Sequence, residues 1–331
     1  MEKLRTAVVG PGRIAVAHLA AIKNNSDIAE LAAVVGLPSD RQRTRALAEQ
    51  FNAHQASDEY EAVLRDPEID AVVLTLPNHL HKSSAIAALE AGKHVLVEKP
   101  LCNTPEEADA MIAAAEKAGR VLMVAQCRRF FPAAQEAARR VAELGRPLDI
   151  VHVLGVYVDE AQAAWWKSAD ATGGLAIGLN GPHVVDTVLM LMGETPVSVY
   201  AQSSRLKGDK WEGEDQATIV MRFSDGSTAT GHLSFNMRPG VNERWIVGPS
   251  GMMHLRDDRV LTYDGDVISE TPLTPYIDGD PSFDEQFRRF AECIRKKLPP
   301  QPSGSDGRNV VKILSAALRS ASTGEPVCLS E

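Results

Sequence analysis

Along the first 126 residues the apolar positions alternate between two patterns. Short, nearly continuous apolar runs occupy residues 5–9, 31–35, 71–76, 94–97 and 121–125. Between them, residues 14–23, 41–51, 82–91 and 105–118 carry apolar positions at helical spacing. Continuous apolar strands separated by amphipathic helices predict a parallel sheet with both faces covered. Thr104-Pro105-Glu106-Glu107 adds a helix start: a threonine N-cap, proline at the first position and acids in the first turn.

Beyond residue 126 the rhythm changes. A helix over 133–144 leads to a strand of alternating character over 149–158, and another helix covers 183–192. Strand patterns then follow one another at 197–203, 217–223, 227–235, 244–247 and 252–255. Asp225-Gly226 between two of them is a strong hairpin signal. Strands in succession predict an antiparallel sheet and an α+β second domain. The proline-rich run 299–304 reads as a loop before a final helix over 307–320. The expected division is an α/β domain over 1–124 and an α+β domain over 125–331.

Length and composition fit that division. At 331 residues there is room for two cores, because single cores stop growing near ~250–300 residues. The chain is 44% apolar and 24% charged, as in folded proteins generally, which excludes disorder. A net charge of −9 argues against a nucleic-acid or anionic-membrane partner. No apolar run approaches the ~18 residues of a membrane span. Met1-Glu2-Lys3-Leu4-Arg5 runs into the first strand without the apolar stretch of a signal peptide, so a cytoplasmic location is expected. Cys102, Cys127, Cys293 and Cys328 form no CxxC pair and read as free thiols, and no metal site is expected.

The first strand ends in Gly10-Pro11-Gly12-Arg13-Ile14-Ala15, a G-x-G-x-x-A pattern between strand and helix. The first glycine permits the tight turn, the second lets backbone approach a pyrophosphate, and the small third residue lets helix and strand pack closely. The following helix offers N–H groups and its positive dipole end to phosphates. Cofactor choice depends on the end of the second strand, where NAD enzymes place an acid on the ribose 2′-hydroxyl. Here the chain reads Val34-Val35-Gly36-Leu37-Pro38-Ser39-Asp40-Arg41-Gln42-Arg43. Ser39 with Arg41 or Arg43 suits a 2′-phosphate. Asp40 either reaches a ribose or caps the helix. The reading is NAD(P), favouring NADP(H).

The run Val95-Leu96-Val97 breaks at Glu98-Lys99-Pro100, where a chain that only turned would use Gly, Asn or Asp. This segment, together with "GPGRIAVAHLAAI", "TLPNHLHKSSAIAALEAGKHVLVEKPLCNTPEEADAM" and "SGSDGRNVVKILSAALRSASTGEPV", resembles the Gfo/Idh/MocA oxidoreductases. These are the relatives of glucose-fructose oxidoreductase and inositol dehydrogenase. The resemblance implies an N-terminal Rossmann domain and a C-terminal domain with a large open-faced, mainly antiparallel sheet. That sheet is commonly an interface, so a homodimer or homotetramer is expected. It implies a sugar, sugar-derivative or cyclitol substrate, with Lys99 between nicotinamide and substrate and a cis Lys99–Pro100 bond. It also implies cofactor contacts at Gly10, Gly12, Arg13, Ile14, Leu76, Pro77, Asn78, His81, Glu98, Lys99 and Trp166. Substrate contacts are implied at Lys99, Arg129, Phe130, Asn180 and His183, with Lys99 and His183 catalytic. Residue types alone leave other roles open: Asn78 and His81 as helix caps, and the Trp165-Trp166 pair as core.

The pattern departs from the family at two places. Cys127 falls at a position where relatives usually carry Asn. In Gly173-Gly174-Leu175-Ala176-Ile177-Gly178-Leu179-Asn180-Gly181-Pro182-His183, Leu179 stands four residues before His183, where relatives show Asp or Asn. Leu179 is thus expected at the substrate wall, leaving His183 without its usual acidic partner. Asp186, one helical turn on, reads either as a partner of His183 or as a surface residue. Two other functions stay open on this sequence. One is transient oxidation by a bound cofactor leading to elimination, hydrolysis or epimerisation; the other is a non-catalytic dinucleotide sensor.

Overall fold

Six strands form a parallel sheet, all but the edge strand β3 with buried centres: β1 (Leu4–Val9), β2 (Ala29–Val35), β3 (Gln55–Ser57), β4 (Ala71–Leu74), β5 (His94–Glu98) and β6 (Leu122–Ala125). Their order, β3-β2-β1-β4-β5-β6, reverses between β1 and β4, the switch point of a Rossmann sheet. Helices α1 (Ala15–Asn24), α2 (Arg41–Gln50), α3 (Tyr60–Arg65), α4 (His81–Glu90) and α5 (Pro105–Ala118) connect the strands. This computed structural model describes residues 2–272, 274 and 280–329. Chain packing defines two units, and the one holding this sheet comprises Met1–Cys102, Glu106–Phe130 and Thr274–Arg308.

That partition extends the expected division at residue 124. Residues 125–130 and a later stretch belong with the Rossmann sheet. The later stretch contains a helix that the periodicity reading passed over, Pro281–Lys296, called α10 in the order given below. Asp280 caps it by accepting from Ser282 N, and Pro281 stands at its first turn. Phe283, Phe287, Phe290 and Ala291 form its buried stripe, which joins the core around α1 and β1. The spacing i, i+4, i+7 of those phenylalanines is the signal that was available in the sequence.

The second unit is built on a nine-stranded mixed sheet. Its elements are α6 (Pro132–Arg140), β7 (Asp149–Tyr157), α7 (Ala169–Thr172), α8 (Ala176–Leu179), α9 (Gly181–Met192), β8 (Ser198–Ser204), β9 (Gln216–Arg222), β10 (Thr228–Ser234), β11 (Asn236–Gly248), β12 (Gly251–Arg256), β13 (Val260–Tyr263) and β14 (Asp266–Glu270). Then follow α10, already placed in the first unit, α11 (Gly304–Thr323) and β15 (Val327–Cys328). The sheet runs β14-β13-β12-β11-β7-β10-β9-β8-β15, and β7 pairs parallel with β10 but antiparallel with β11. Residues from α6, α9 and α11 cover one face, where alternate residues of β9 and β10 are buried. On β9, β11 and β12, the exposed residues include Val220, Val247 and Met252. On the covered side, a fully buried Arg244 pairs with Asp258 and donates from Nε to His152 Nδ1 at 3.3 Å.

Leu179 belongs to this core and not to a substrate wall. All four residues of α8 are buried, and Leu179 is 7% exposed within the cluster that includes Ile177, Val184 and Leu233. Its apolar side chain is used for packing, so an acid there would meet hydrocarbon. Leu179→Asp is therefore expected to destabilise the second unit by about 3 kcal/mol or more, the scale of an uncompensated buried charge. Leu179→Met should cost less than about 1.5 kcal/mol. Urea unfolding followed by circular dichroism measures both, and an unchanged midpoint in Leu179→Asp contradicts this placement.

Candidate active site

The glycine loop follows from a close approach of two strand ends. Gly10 has φ +101°, and a Cβ there would lie 2.6 Å from the Thr75 carbonyl oxygen, so only glycine fits. The Thr75 hydroxyl points at the Val9 and Gly10 carbonyls at 3.0 and 2.6 Å, which ties the end of β4 to the loop. Gly12 and Arg13 are exposed. Ile14 precedes α1 with no side-chain cap, and the first turn of α1 carries no acid. The helix therefore offers N–H groups and a positive dipole end to an anion without competition from a local carboxylate. A dinucleotide pyrophosphate suits this cradle.

At the end of β2 a side chain is sterically barred. A Cβ on Gly36 would meet Thr44 Oγ1 at 2.2 Å and Pro11 Cγ at 3.0 Å. Ser39 lies exposed in the turn Pro38–Asp40, ahead of α2. Asp40 occupies the N-cap position of α2 but makes no side-chain cap bond. The two arginines part company. Arg41 donates from Nε to Asp58 Oδ2 at 3.0 Å, beside a cavity of about 270 Å³ lined by both. Its guanidinium holds the Asp58 carboxyl below the usual range. Arg43 instead lies along the glycine loop, donating from Nε to the Pro11 carbonyl and from NH2 to the Gly12 carbonyl at 3.5 Å.

β5 delivers Glu98-Lys99-Pro100 at the carboxyl edge of the parallel sheet, where ligands of such sheets bind. The Lys99–Pro100 bond is cis. Glu98 is 6% exposed: its Oε1 lies 2.8 Å from His18 Nε2 on α1, and its Oε2 accepts from the Lys99 backbone N–H at 3.1 Å. Burial alone would raise the Glu98 carboxyl, but the hydrogen bond and electrostatic pull of His18, with Lys99, hold it below its ordinary value. Lys99 is half-buried, and burial pushes its amine below the usual lysine value while the Glu98 charge works the other way. Cys127 and Arg128 also face Lys99, the thiolate form raising and the guanidinium lowering it.

The segment after β4 packs beside that strand end. Leu76 and Pro77 are half-buried, and Asn78 is buried at the start of the turn Asn78–Leu80. His81 is fully buried; its Nδ1 lies 2.8 Å from the Pro100 carbonyl oxygen and its Nε2 2.9 Å from that of Leu76. Burial pushes the ring below its ordinary value, opposed by the two carbonyls and the Glu98 charge. The polar atoms of the His81 and Glu98 side chains are thus engaged with other residues of the protein. Phe130, an implied substrate residue, is 8% exposed in the core of this unit, and Arg129 pairs with Asp306 at 3.3 Å.

In the second unit, Gly173 and Gly174 have φ of +69° and +86°, the left-handed region that a glycine pair supplies. Asn180 occupies the N-cap position of α9, and its carbonyl accepts from His183 N at 3.1 Å. His183 is half-buried on the first turn of α9. Asp186 is 1% exposed, so the surface alternative for it falls away. Trp166 stacks on Phe235 at 6.1 Å and Trp165 meets Trp166 edge-on at 6.2 Å, as packing residues of this core. Sequence reasoning passed over Glu214, whose Oε1 accepts from Leu175 N at 3.0 Å and Ile177 N at 2.7 Å and so fixes the chain entering α8. It also passed over His18, since a histidine inside an apolar helix carries no signal without its partner. Among the described residues no cluster of His, Cys, Asp and Glu could hold a metal ion.

Comparison with known proteins agrees with this geometry. Residues 4–126 match GFO/IDH/MocA, described as an oxidoreductase family with an NAD-binding Rossmann fold, and residues 110–254 match the GFO/IDH/MocA C-terminal domain. The chain is 28% identical over 343 residues to myo-inositol 2-dehydrogenase of Thermotoga maritima, covering 99% of each. It is 29% identical over 305 residues to D-xylose 1-dehydrogenase (NADP(+)) 2 of Haloferax volcanii, covering 87% of this chain and 89% of that one. Its fold is similar to levoglucosan dehydrogenase in complex with NADH and L-sorbose, with a TM-score of 0.89 at 24% identity over 100% of both chains. With a Rossmann unit, a mixed-sheet unit and both domain matches, the chain belongs to the GFO/IDH/MocA oxidoreductase family.

Proposed function

We propose that this oxidoreductase interconverts a hydroxyl and a carbonyl on a sugar, sugar derivative or cyclitol, and that it prefers NADP(H). The observation that carries the reading is Lys99, half-buried at the carboxyl end of β5, in the same unit as the uncapped start of α1. When bound, the nicotinamide supplies the hydride acceptor or donor. Gly10, Gly12 and the first turn of α1 hold the pyrophosphate. Lys99 polarises the substrate oxygen and exchanges the hydroxyl proton. An amine with its proton affinity reduced by burial is suited to that exchange near neutral pH. The inositol and xylose dehydrogenases among the relatives support the substrate class.

Turnover across a panel of sugars and inositols tests the reading. A substrate should be found, and Lys99→Ala should lower kcat by about 10²-fold or more, the scale of a positioned acid–base group, with dinucleotide affinity retained. Parent-level turnover in that variant contradicts the role.

The cofactor preference rests on three features. Gly36 admits no acidic side chain, Ser39 is exposed, and Arg43 lies on the glycine loop. A xylose dehydrogenase relative is named for NADP(+). Because Arg41 is paired with Asp58, Arg43 is the residue expected to meet a 2′-phosphate. Equilibrium titration should give tighter binding of NADPH than NADH, and Arg43→Ala should narrow the difference by about tenfold. Tighter NADH binding in the parent contradicts the preference.

A further inference from the structure

We propose that His81 is a positioning residue for Lys99, acting as a clamp between the loops that leave β4 and β5; the inference rests on the reading of Lys99 given above. The two strands are parallel neighbours, with Leu74 opposite Val97 as their last paired residues. Past that point the ladder ends, and the described β4–β5 pairing no longer fixes the loops to each other. His81 spans the gap with a rigid ring, one nitrogen 2.8 Å from the Pro100 carbonyl and the other 2.9 Å from the Leu76 carbonyl. Proline has no N–H, so its carbonyl is the backbone handle available at that residue.

The clamp acts on one side of Lys99, and Glu98 acts on the other. Glu98 Oε2 receives the Lys99 N–H at 3.1 Å while its Oε1 is held by His18 at 2.8 Å. The peptide before Lys99 and the carbonyl of Pro100, one residue on, are therefore both anchored, which restricts the direction in which the Lys99 side chain leaves the backbone. An imidazole is well suited to the Pro100 side because its two polar atoms lie at separate edges of a planar ring. Neutral, it donates to one carbonyl; as imidazolium it donates to both. His81 itself is fully buried, so it acts through Lys99 and not on a ligand.

The test compares His81→Phe, which keeps a ring but removes both nitrogens, with His81→Gln, which keeps one N–H donor. His81→Phe should lower kcat by roughly 10- to 100-fold, the effect of displacing a reacting group by ~1 Å. Sugar KM and dinucleotide Kd should stay within about threefold of the parent, and His81→Gln should fall between the two. A second readout needs no turnover: the rate of reductive methylation at Lys99, mapped by mass spectrometry, should rise in His81→Phe as the amine leaves its held orientation. Parent kcat together with a parent methylation rate overturns the proposal. Should His81→Phe fail to fold, His81→Gln decides by the same two measurements, and parent values for both again overturn it. Loss of turnover in Lys99→Ala beside unaffected His81 variants defeats the clamp alone. Unaffected turnover in Lys99→Ala defeats the reading of Lys99 instead.

Discussion

A lysine at the end of a buried apolar strand needs its peptide and its charge accommodated, and the Glu98 carboxylate does both. It accepts the Lys99 N–H and places a negative charge beside the amine, and His18 on α1 holds it in turn. A buried carboxylate without such partners would be protonated or expelled, since an isolated buried charge is costly. The same bond joins α1, whose first turn faces the nucleotide cradle, to the strand that carries Lys99. The glycine loop and the strand that carries Lys99 are thus mechanically joined.

Around that bond the rest of the Rossmann unit follows from close packing. Gly10 is required because β4 approaches β1 until the Thr75 carbonyl occupies the space of a Cβ. Gly36 is required because Thr44 and Pro11 close over it, and this removes the position from which an acid would reach a ribose. Steric exclusion at Gly36 and the placement of Arg43 on the loop bear on the same question, the charge that the adenosine ribose can carry.

Much of this was legible in the sequence, for physical reasons that can be named. Strands buried on both faces read as continuous apolar runs, so β1, β2, β4, β5 and β6 were visible, and the spacing Gly10-x-Gly12-x-x-Ala15 located the cradle. Glu98-Lys99-Pro100 was visible because it violates turn chemistry. What escaped were properties that exist only between distant residues. His18 and Glu98 are 80 positions apart. Leu179 looked like a lost acid by alignment of spacing, whereas packing made it a core residue of α8. Phe130 lies in one hydrophobic core and the partly buried Trp166 packs against the other, contacts that chain position alone does not reveal. His81 matched a cofactor-lining segment, yet its ring was consumed by two backbone carbonyls. Helix α10 carries its signal in three phenylalanines, Phe283, Phe287 and Phe290, set among charged residues.

Burial lowers the proton affinity of the Lys99 amine, while Glu98 opposes that shift and holds the Lys99 N–H. Desolvation disfavours the ammonium form, so the folded protein should release the Lys99 proton at lower pH than an ordinary lysine does. Isotopic dimethylation of the lysines, with Lys99 assigned by comparison with Lys99→Arg, lets its titration be followed by carbon NMR in the absence of substrate. The Lys99 midpoint should lie below the ordinary lysine value of 10.5, and lower still in Glu98→Gln, where the opposing charge is gone. A midpoint at or above 10.5 in the parent, unmoved by Glu98→Gln, would contradict both effects.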